Sequence, residues 1–173
     1  TRCFAVDDLL ALPDLDGVII CSENAKHRMF TEAAAKAGKH VLVEKPIATT
    51  IEDAEAMIRV CAEHCVNLQV AFPVRFEPSV RRLKELVDSG QLGRLIAIKA
   101  SNHGRMPGGW FIDRQLSGGG AVMDHTVHVV DLIRWIFNTE ITEVYAEVGT
   151  LIHDIDIDDC GLLSMQLANG AFV

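Results

Sequence analysis

Among the residues of this 173-residue sequence that can take up or donate a proton, three have positions and spacing that predict a shared site. Lys45 closely follows the apolar run 41–43, so a strand ending there would hold the lysine at the mouth of a sheet. Asp124 and His128 are four positions apart, a spacing that places two side chains on one face of a helix. Oxidation of an alcohol needs a base for the hydroxyl proton, and these residue types suit that task. We therefore predict that Lys45, Asp124 and His128 form one catalytic site.

Each part of this pattern also has an ordinary structural interpretation. Lys45 alone would be a surface lysine in a loop shaped by Pro46. Asp124 and His128 could instead form a satisfied network in which the aspartate holds a histidine inside a core. Asp131 continues the same helical face three residues later, on a helix that is otherwise strongly apolar. At this point both interpretations stay open.

The elements that must position these residues follow from the order of the apolar runs. Strands are predicted at 17–21, 40–43 and 66–72, and the intervening helices end at Gly38 and at about Glu63. This alternation of strand and helix is typical of a doubly wound α/β sheet with right-handed crossovers. The first part of the chain is therefore predicted to be a partial Rossmann-type dinucleotide-binding domain, residues 1–73.

Polar residues follow the first predicted strand, where ligands of open α/β sheets bind. Ser22, Glu23 and Asn24 come directly after it, and His27 lies one turn into the next helix. Their backbone amides and polar side chains could meet a cofactor. We predict these four residues to be cofactor-binding.

The second part of the chain has a different pattern, which predicts a partial α+β domain with a mostly antiparallel open sheet, residues 74–173. Helices are predicted at 78–89 and 121–137, and strands at 95–102, 141–152, 160–167 and 171–173. Asn169-Gly170 indicates a hairpin. Gly118-Gly119-Gly120 precedes the long helix without following a strand, so it is not the G-x-G-x-x-G fingerprint. We expect these glycines to let the helix start close to a ligand.

Composition and charge argue against several classes of protein. A net charge of -8 without a Lys/Arg cluster gives no footprint for nucleic acid. The apolar runs are shorter than the roughly 20 residues that a membrane helix needs. Five scattered cysteines do not form the framework of a disulfide-rich secreted domain, so we expect a reducing, cytoplasmic location.

Two clusters contain residue types that bind metals, and we expect no metal at either. Cys61, His64 and Cys65 could share a helical face, but zinc needs about four ligands and no second cluster stands at a suitable spacing. The run 154–159 would place three carboxylates on one face if it were extended. A solvated strand face or loop entry shows the same alternation, and we favour that interpretation.

Five segments occur in a fixed order along nearly the whole sequence. They are Gly17-Val18-Ile19-Ile20-Cys21-Ser22 with His27, Val43-Glu44-Lys45-Pro46-Ile47-Ala48, Phe76-x-Pro78 leading to Gly90-x-Leu92-Gly93, Trp110, and Gly118-Gly119-Gly120-x-x-x-Asp124-x-x-x-His128. Together they resemble the glucose-fructose oxidoreductase and inositol dehydrogenase family, Gfo/Idh/MocA. The resemblance implies NAD or NADP as cofactor and a secondary alcohol of a sugar, cyclitol or related polyol as substrate.

The resemblance also implies roles for single residues. It matches Lys45 to the lysine that contacts the reacting hydroxyl, His128 to the general base or acid, and Asp124 to the acidic residue that orients the substrate. Glu44, together with Lys45, matches a cofactor-side position. Arg75 and Trp110 are expected to shape the substrate pocket.

Further expectations concern the whole protein. The family's opening strand, glycine-rich turn and first helix are not found in this sequence, nor is the end of its second sheet, so we expect a fragment. The resemblance implies a homo-oligomer formed through the C-terminal sheet. Two other functions stay open: an NAD-dependent glycosidase of the same family, and a non-catalytic cofactor-sensing regulatory protein.

Overall fold

A parallel three-stranded sheet forms the centre of the first half of the chain. In the computed structural model, which describes residue 2 and residues 5–173, its strands are β1 (Gly17–Ile20), β2 (His40–Val43) and β3 (Leu68–Val70). They lie in the order β1-β2-β3, as predicted for a doubly wound sheet. The register pairs Ile20 with Val43, so β1 and β2 end side by side at the same edge.

Three helices accompany this sheet: α1 (Val6–Leu10), α2 (His27–Lys36) and α3 (Ile51–Glu63). A 3-10 turn at Asn24–Lys26 leads into α2. Gly38 follows α2 with a φ of 73°, the left-handed conformation in which glycine commonly ends a helix. The Thr50 hydroxyl begins α3 by accepting a hydrogen bond from the Asp53 amide at 3.1 Å. The Thr50 hydroxyl thus caps α3, and the predicted helix ends at Gly38 and at about Glu63 are confirmed.

The core of this part forms between the sheet and its helices. Its fully buried members are Leu10, Ile20, Ala34, Val41, Val43 and Met57. The third strand is shorter than the predicted 66–72, because the Val66 amide donates to the Cys61 carbonyl at 3.0 Å and so closes the end of α3. Cys65, with a φ of 55°, makes the turn at this point.

The rest of the chain forms an α+β arrangement with an antiparallel sheet, as predicted. Its helices are α4 (Pro78–Asp88), α5 (Arg114–Ser117) and α6 (Ala121–Phe137), and 3-10 turns lie at Pro73–Phe76 and Gly109–Ile112. Strands β4 (Ile141–Gly149) and β5 (Cys160–Leu167) pair antiparallel. Helix α6 packs on this hairpin through a buried cluster that contains Ile133, Leu167 and Ala171.

The strand predicted at 95–102 is wrong, because its pairing is limited to a bridge from Ala97 to Phe172 and a hydrogen bond from the Ile98 amide to the Phe172 carbonyl at 2.9 Å. The segment 171–173 is not a regular strand either, but its main chain pairs with β5. The Leu167 amide donates to the Ala171 carbonyl at 2.8 Å, and Met165 and Val173 exchange hydrogen bonds at 3.0 and 2.9 Å. The predicted turn is present: Gly170 has a φ of 85°, and the Ala171 amide bonds the Asn169 side chain at 3.0 Å.

The chain divides into two compact units. The first unit comprises Thr1–Ala71 with Gln115–Gly118, and the second comprises Phe72–Arg114 with Gly119–Val173. The domain limits predicted from the sequence, 1–73 and 74–173, stay a prediction. Among the described residues, no helix has both the length and the apolar character needed to cross a bilayer.

Candidate active site

The loops that follow β1 and β2 leave the sheet as neighbours. The Glu44 amide, just past β2, donates to the carbonyl of Ile20, the last residue of β1, at 3.0 Å. The loop beginning at Ser22 and the loop that contains Lys45 therefore both start at the carboxyl-terminal ends of the parallel strands. Ligands of open α/β sheets bind at these ends.

The imidazole of His27 contacts both of these loops. Its side chain is completely buried, with Nδ1 3.0 Å from the Pro46 carbonyl and Nε2 3.3 Å from the Ser22 carbonyl. Both ring nitrogens thus face main-chain oxygens of the protein itself. These contacts support a positioning role for His27, while direct contact with a cofactor stays a prediction.

The polar residues after β1 are differently engaged. Asn24 is buried and donates through Nδ2 to the Ser117 carbonyl at 2.9 Å. Glu23 pairs with Lys26 at 2.9 Å, and this ammonium holds the pKa of the Glu23 carboxyl below its ordinary value. The Ser22 hydroxyl donates to the Glu23 carbonyl at 3.3 Å. The cofactor-binding roles of these residues stay predictions. The hydrogen bond of the Ser22 hydroxyl is the longest of the three.

Lys45 lies two residues beyond β2, and its side chain is half-buried, as is that of Glu44. The Lys45 amide donates to the Glu44 carboxylate at 3.3 Å, and the Lys45–Pro46 peptide bond is cis. Pro46 is buried and is the residue that His27 holds. The structure therefore places the lysine in a loop anchored on both sides, in agreement with the predicted location at a strand end.

The first of the three consecutive glycines is needed for a contact within the protein. Gly118 has a φ of 81°, and a Cβ atom there would lie 2.5 Å from the Thr49 side chain. From the sequence, we expected a bound ligand to be the reason for a close approach at these glycines. The observed reason is a neighbouring threonine of the first unit.

Helix α6 carries the predicted acid–base pair of the second unit. Asp124 and His128 are one turn apart in this helix, and both are half-buried. A second histidine, His125, lies with Nε2 3.9 Å from the Asp124 carboxylate. The sequence analysis missed His125 because adjacent helical residues point in different directions, so spacing rules do not select it.

Asp131 and Arg75 are partners of each other. Asp131 is buried and receives two bonds from the guanidinium, Nε to Oδ2 at 2.8 Å and Nη2 to Oδ1. The Arg75 guanidinium also lies over the rings of Phe72 and Trp135, 5.5 and 5.6 Å from their centroids. The third member of the polar helical face thus belongs to a structural ion pair. The predicted role of Arg75 in a substrate pocket stays a prediction.

Trp110 lies in the 3-10 turn Gly109–Ile112 and is half-buried. It stacks on Phe111 with ring centroids 3.8 Å apart. Such a pair presents a flat apolar surface, which suits the face of a sugar ring. Its predicted place in a substrate pocket is not tested by this contact.

Within the acidic run 154–159, which lies in the loop between β4 and β5, Asp154 and Asp156 are exposed, while Asp159 binds main-chain amides. The Asp159 carboxylate accepts hydrogen bonds from the amides of Leu151, Ile152 and His153 at 2.7 to 2.8 Å. The hydrogen bond from the Leu151 amide has the largest effect, and together with the other bonds it holds the pKa of Asp159 far below its ordinary value. Across the described residues no group of three or more potential ligands is arranged to hold a metal ion.

This network gives an expected pH dependence of stability. A carboxyl whose pKa is depressed by folding stabilises the protein above its unfolded pKa of about 3.9, and that contribution is lost as the pH falls towards the folded pKa. Asp159→Asn should therefore lower the urea midpoint at neutral pH, with a difference from wild type that shrinks below about pH 4. Urea unfolding at several pH values, with the exposed Asp154→Asn as control, measures this. A difference that stays constant down to about pH 2 contradicts the assignment.

A parallel sheet with polar residues at its strand ends, followed by an α+β unit with an antiparallel sheet, is the architecture that the sequence predicted for a dinucleotide-binding oxidoreductase. A model of this class, described as an oxidoreductase family with an NAD-binding Rossmann fold, matches residues 3–72. A second model, the GFO/IDH/MocA C-terminal domain, matches residues 80–173. The chain belongs to the GFO/IDH/MocA family, and the predicted family and fold class are confirmed.

Known proteins of this family resemble the chain over most of its length. The 1,5-anhydro-D-fructose reductase of Ensifer adhaerens is 37% identical over 82% of this chain and 44% of its own. The myo-inositol 2-dehydrogenase of Thermotoga maritima is 32% identical over 89% of this chain and 45% of its own. The crystal structure of the WlbA dehydrogenase of Bordetella pertussis with NADH and UDP-GlcNAcA superposes with a TM-score of 0.88 at 28% identity, covering 97% of this chain and 50% of the other. The chain thus spans about half the length of the curated relatives it matches.

Proposed function

We propose that the protein transfers hydride between a nicotinamide cofactor, NAD or NADP, and a secondary alcohol of a sugar, cyclitol or related polyol. The observation that carries this proposal is the position of Lys45, anchored at the ligand-side edge of a parallel sheet in a chain of this oxidoreductase family. The names of the relatives, an anhydrofructose reductase and an inositol dehydrogenase, support the substrate class.

The residues present fit a nicotinamide nucleotide. The ends of β1 and β2 lie side by side and carry polar groups, Ser22 and Glu44, that are half-buried but not sealed in the core. Hydroxyl and carboxylate oxygens at such an edge are suited to the hydroxyl groups of a ribose. We therefore assign Ser22, Glu44 and the adjoining main chain to cofactor binding.

The chain's own residues supply binding and proton transfer. The Lys45 ammonium donates a hydrogen bond to the reacting hydroxyl oxygen and stabilises the charge that develops on it. His128 takes the hydroxyl proton on a ring nitrogen, and Asp124 orients the substrate. When bound, the nicotinamide accepts the hydride that leaves the same carbon.

Other properties of the whole protein are also proposals. The units recognised by the two family models support a cofactor-binding part within residues 1–73 and a substrate part within 74–173. A homo-oligomer formed through the β4-β5 sheet is supported by exposed apolar residues on it, Val144, Tyr145 and Leu162. A cytoplasmic location and the lack of nucleic-acid and membrane partners stay predictions.

A turnover assay with the full-length protein tests the proposed function. The protein is expected to form NADH or NADPH from at least one member of a panel of cyclitols, aldoses and anhydrosugars that includes myo-inositol. The reverse reaction is followed with 1,5-anhydro-D-fructose and reduced cofactor. Release of free sugar from glycosides without net reduction of cofactor would replace the proposal by the glycosidase alternative. No turnover, combined with tight nucleotide binding, would favour a regulatory protein.

A further inference from the structure

Helix α6 begins without a cap of its own. The residue before it is Gly120, which has no side chain to receive a hydrogen bond. The first amides of any helix lack intrahelical acceptors, and here that first turn leads directly to Asp124. The start of the helix that carries the proposed acid–base residues therefore depends on acceptors from elsewhere in the second unit.

Asp158 supplies these acceptors from the loop between β4 and β5. Its carboxylate receives the amides of Gly120 on Oδ1 at 2.9 Å and Val122 on Oδ2 at 2.6 Å. Its main-chain carbonyl receives the amide of Ala121 at 2.8 Å. One residue thus binds three consecutive amides, and its negative charge lies at the positive end of the helix dipole.

This arrangement requires a glycine at position 120. A Cβ atom there would lie 1.9 Å from the Asp158 carbonyl oxygen and 2.8 Å from its carbonyl carbon. Both atoms belong to the main chain, so no side-chain rotation relieves the overlap. The third glycine of the triplet is consequently explained by a contact within the protein, the close approach of Asp158.

The loop that presents Asp158 is itself fixed. Asp159 binds the amides of Leu151, Ile152 and His153, and the Thr150 hydroxyl donates to the Ile157 carbonyl at 2.6 Å. Ile157 is almost completely buried, with 1% of its surface exposed. Asp158 is therefore held rigidly between an anchored residue on each side.

We propose that Asp158 is a positioning residue that sets the axial and rotational placement of α6, and through it the placement of Asp124 and His128. The inference rests on the proposed function for its catalytic meaning. Asp124 lies two residues beyond the amide of Val122, and His128 follows about 9 Å along the helix from that amide at 1.5 Å per residue. A shift of the first turn is transmitted to both side chains because a packed helix moves as a unit.

The structural half of the proposal is tested by amide hydrogen exchange on the full-length protein. Asp158→Ala should accelerate exchange of the amides of Gly120 and Val122 by about 10-fold to 100-fold, the loss expected for hydrogen bonds to a charged acceptor. Asp158→Asn keeps one carbonyl oxygen and should give an intermediate acceleration. The control Asp156→Ala removes the same charge from the same loop, where the side chain is 97% exposed, and should leave these amides unchanged. Unchanged exchange in Asp158→Ala overturns the proposal.

The functional half is read at His128 in the same variants. Asp158→Ala should change the nitrogen and carbon resonances of the His128 ring and their pH titration, whereas Asp156→Ala should not. With a polyol of the turnover panel that the wild-type protein oxidises, Asp158→Ala should lower kcat by about 10-fold to 100-fold. It should also displace the pH profile of kcat and leave the KM for cofactor unchanged. Asp158→Asn should recover part of kcat.

The two halves fail in different ways. Faster exchange at Gly120 and Val122 with wild-type His128 signals and a wild-type pH profile would overturn the positioning role, since Asp158 would then serve stability only. If the wild-type protein turns over no polyol, the proposed function fails, while the His128 resonances still decide whether Asp158 sets its placement. A folding defect in Asp158→Ala is recognised by exchange that increases throughout the chain, and Asp158→Asn then provides the decisive comparison.

Discussion

Lys45→Met in the full-length protein is expected to lower kcat by about 1,000-fold, within the range that positioned proton donors contribute. Methionine has a similar length and an unbranched chain, so it can occupy the same half-buried position without a hydrogen-bond donor. The loop itself should remain in place because its anchor is the Pro46 carbonyl held by His27 at 3.0 Å. The measurement is steady-state turnover of the best polyol found in the panel, at saturating cofactor.

The matched control for this variant is Lys36→Met. Lys36 is an exposed lysine near the end of α2 and pairs with Glu32 at 3.5 Å. Its replacement removes the same charge from the same unit at a position with no predicted role. Its kcat should stay within about twofold of wild type, as expected for an exposed ion pair of small energy. Turnover of Lys45→Met above one tenth of the wild-type value would exclude Lys45 from the reaction.

Gly120→Ala is expected to destabilise the second unit by about 3 kcal/mol, the upper end for added atoms that the structure cannot accommodate. The new methyl group would lie 1.9 Å from the Asp158 carbonyl oxygen, so either the loop or the first turn of α6 must move. Any such movement separates Asp158 from the amides of Gly120 and Val122. Chemical denaturation measures the stability, and turnover should fall by about 100-fold as the helix shifts.

The neighbouring glycine provides the control for Gly120→Ala. A Cβ atom at Gly119 would approach the Met123 side chain, with Cβ at 3.1 Å and Sδ at 3.5 Å. Methionine is flexible and can adjust, so Gly119→Ala should cost about 1 kcal/mol or less. Equal losses of stability in the two variants would show that the triplet is sensitive to any side chain, and that Asp158 is not the specific constraint.

Elements with a strong local pattern were predicted closely. The strand at 40–43 and the helix at 121–137 have the predicted bounds, since each has an apolar run of the right length and glycine shortly before it, Gly38 or Gly118-Gly119-Gly120. The segment 171–173 pairs with the nearby end of β5, whereas the strand predicted at 95–102 is reduced to a single bridge. The apolar residues of 95–102 resemble those of a strand, but pairing depends on partners that are distant in the sequence.

The same distinction applies to the candidate site. Lys45 was selected because its strand is local, and Asp124 with His128 because helical spacing is local. Asp158 was not selected, since its bonds to α6 join residues separated by 36 and 38 positions. Alternating carboxylates in the acidic run indicated a solvated face, and no local signal shows that two of them bind main-chain amides instead. The role of Asp131 on the polar face of its helix stayed open because its partner, Arg75, is 56 positions away.

The contacts of His27 couple two loops of the first unit. One buried ring touches the carbonyl of Ser22 in the loop after β1 and the carbonyl of Pro46 in the loop that carries Lys45. A substitution that displaces the Ser22 carbonyl is therefore expected to displace the loop that carries Lys45 as well. The two loops cannot vary independently of each other, because the same imidazole contacts both.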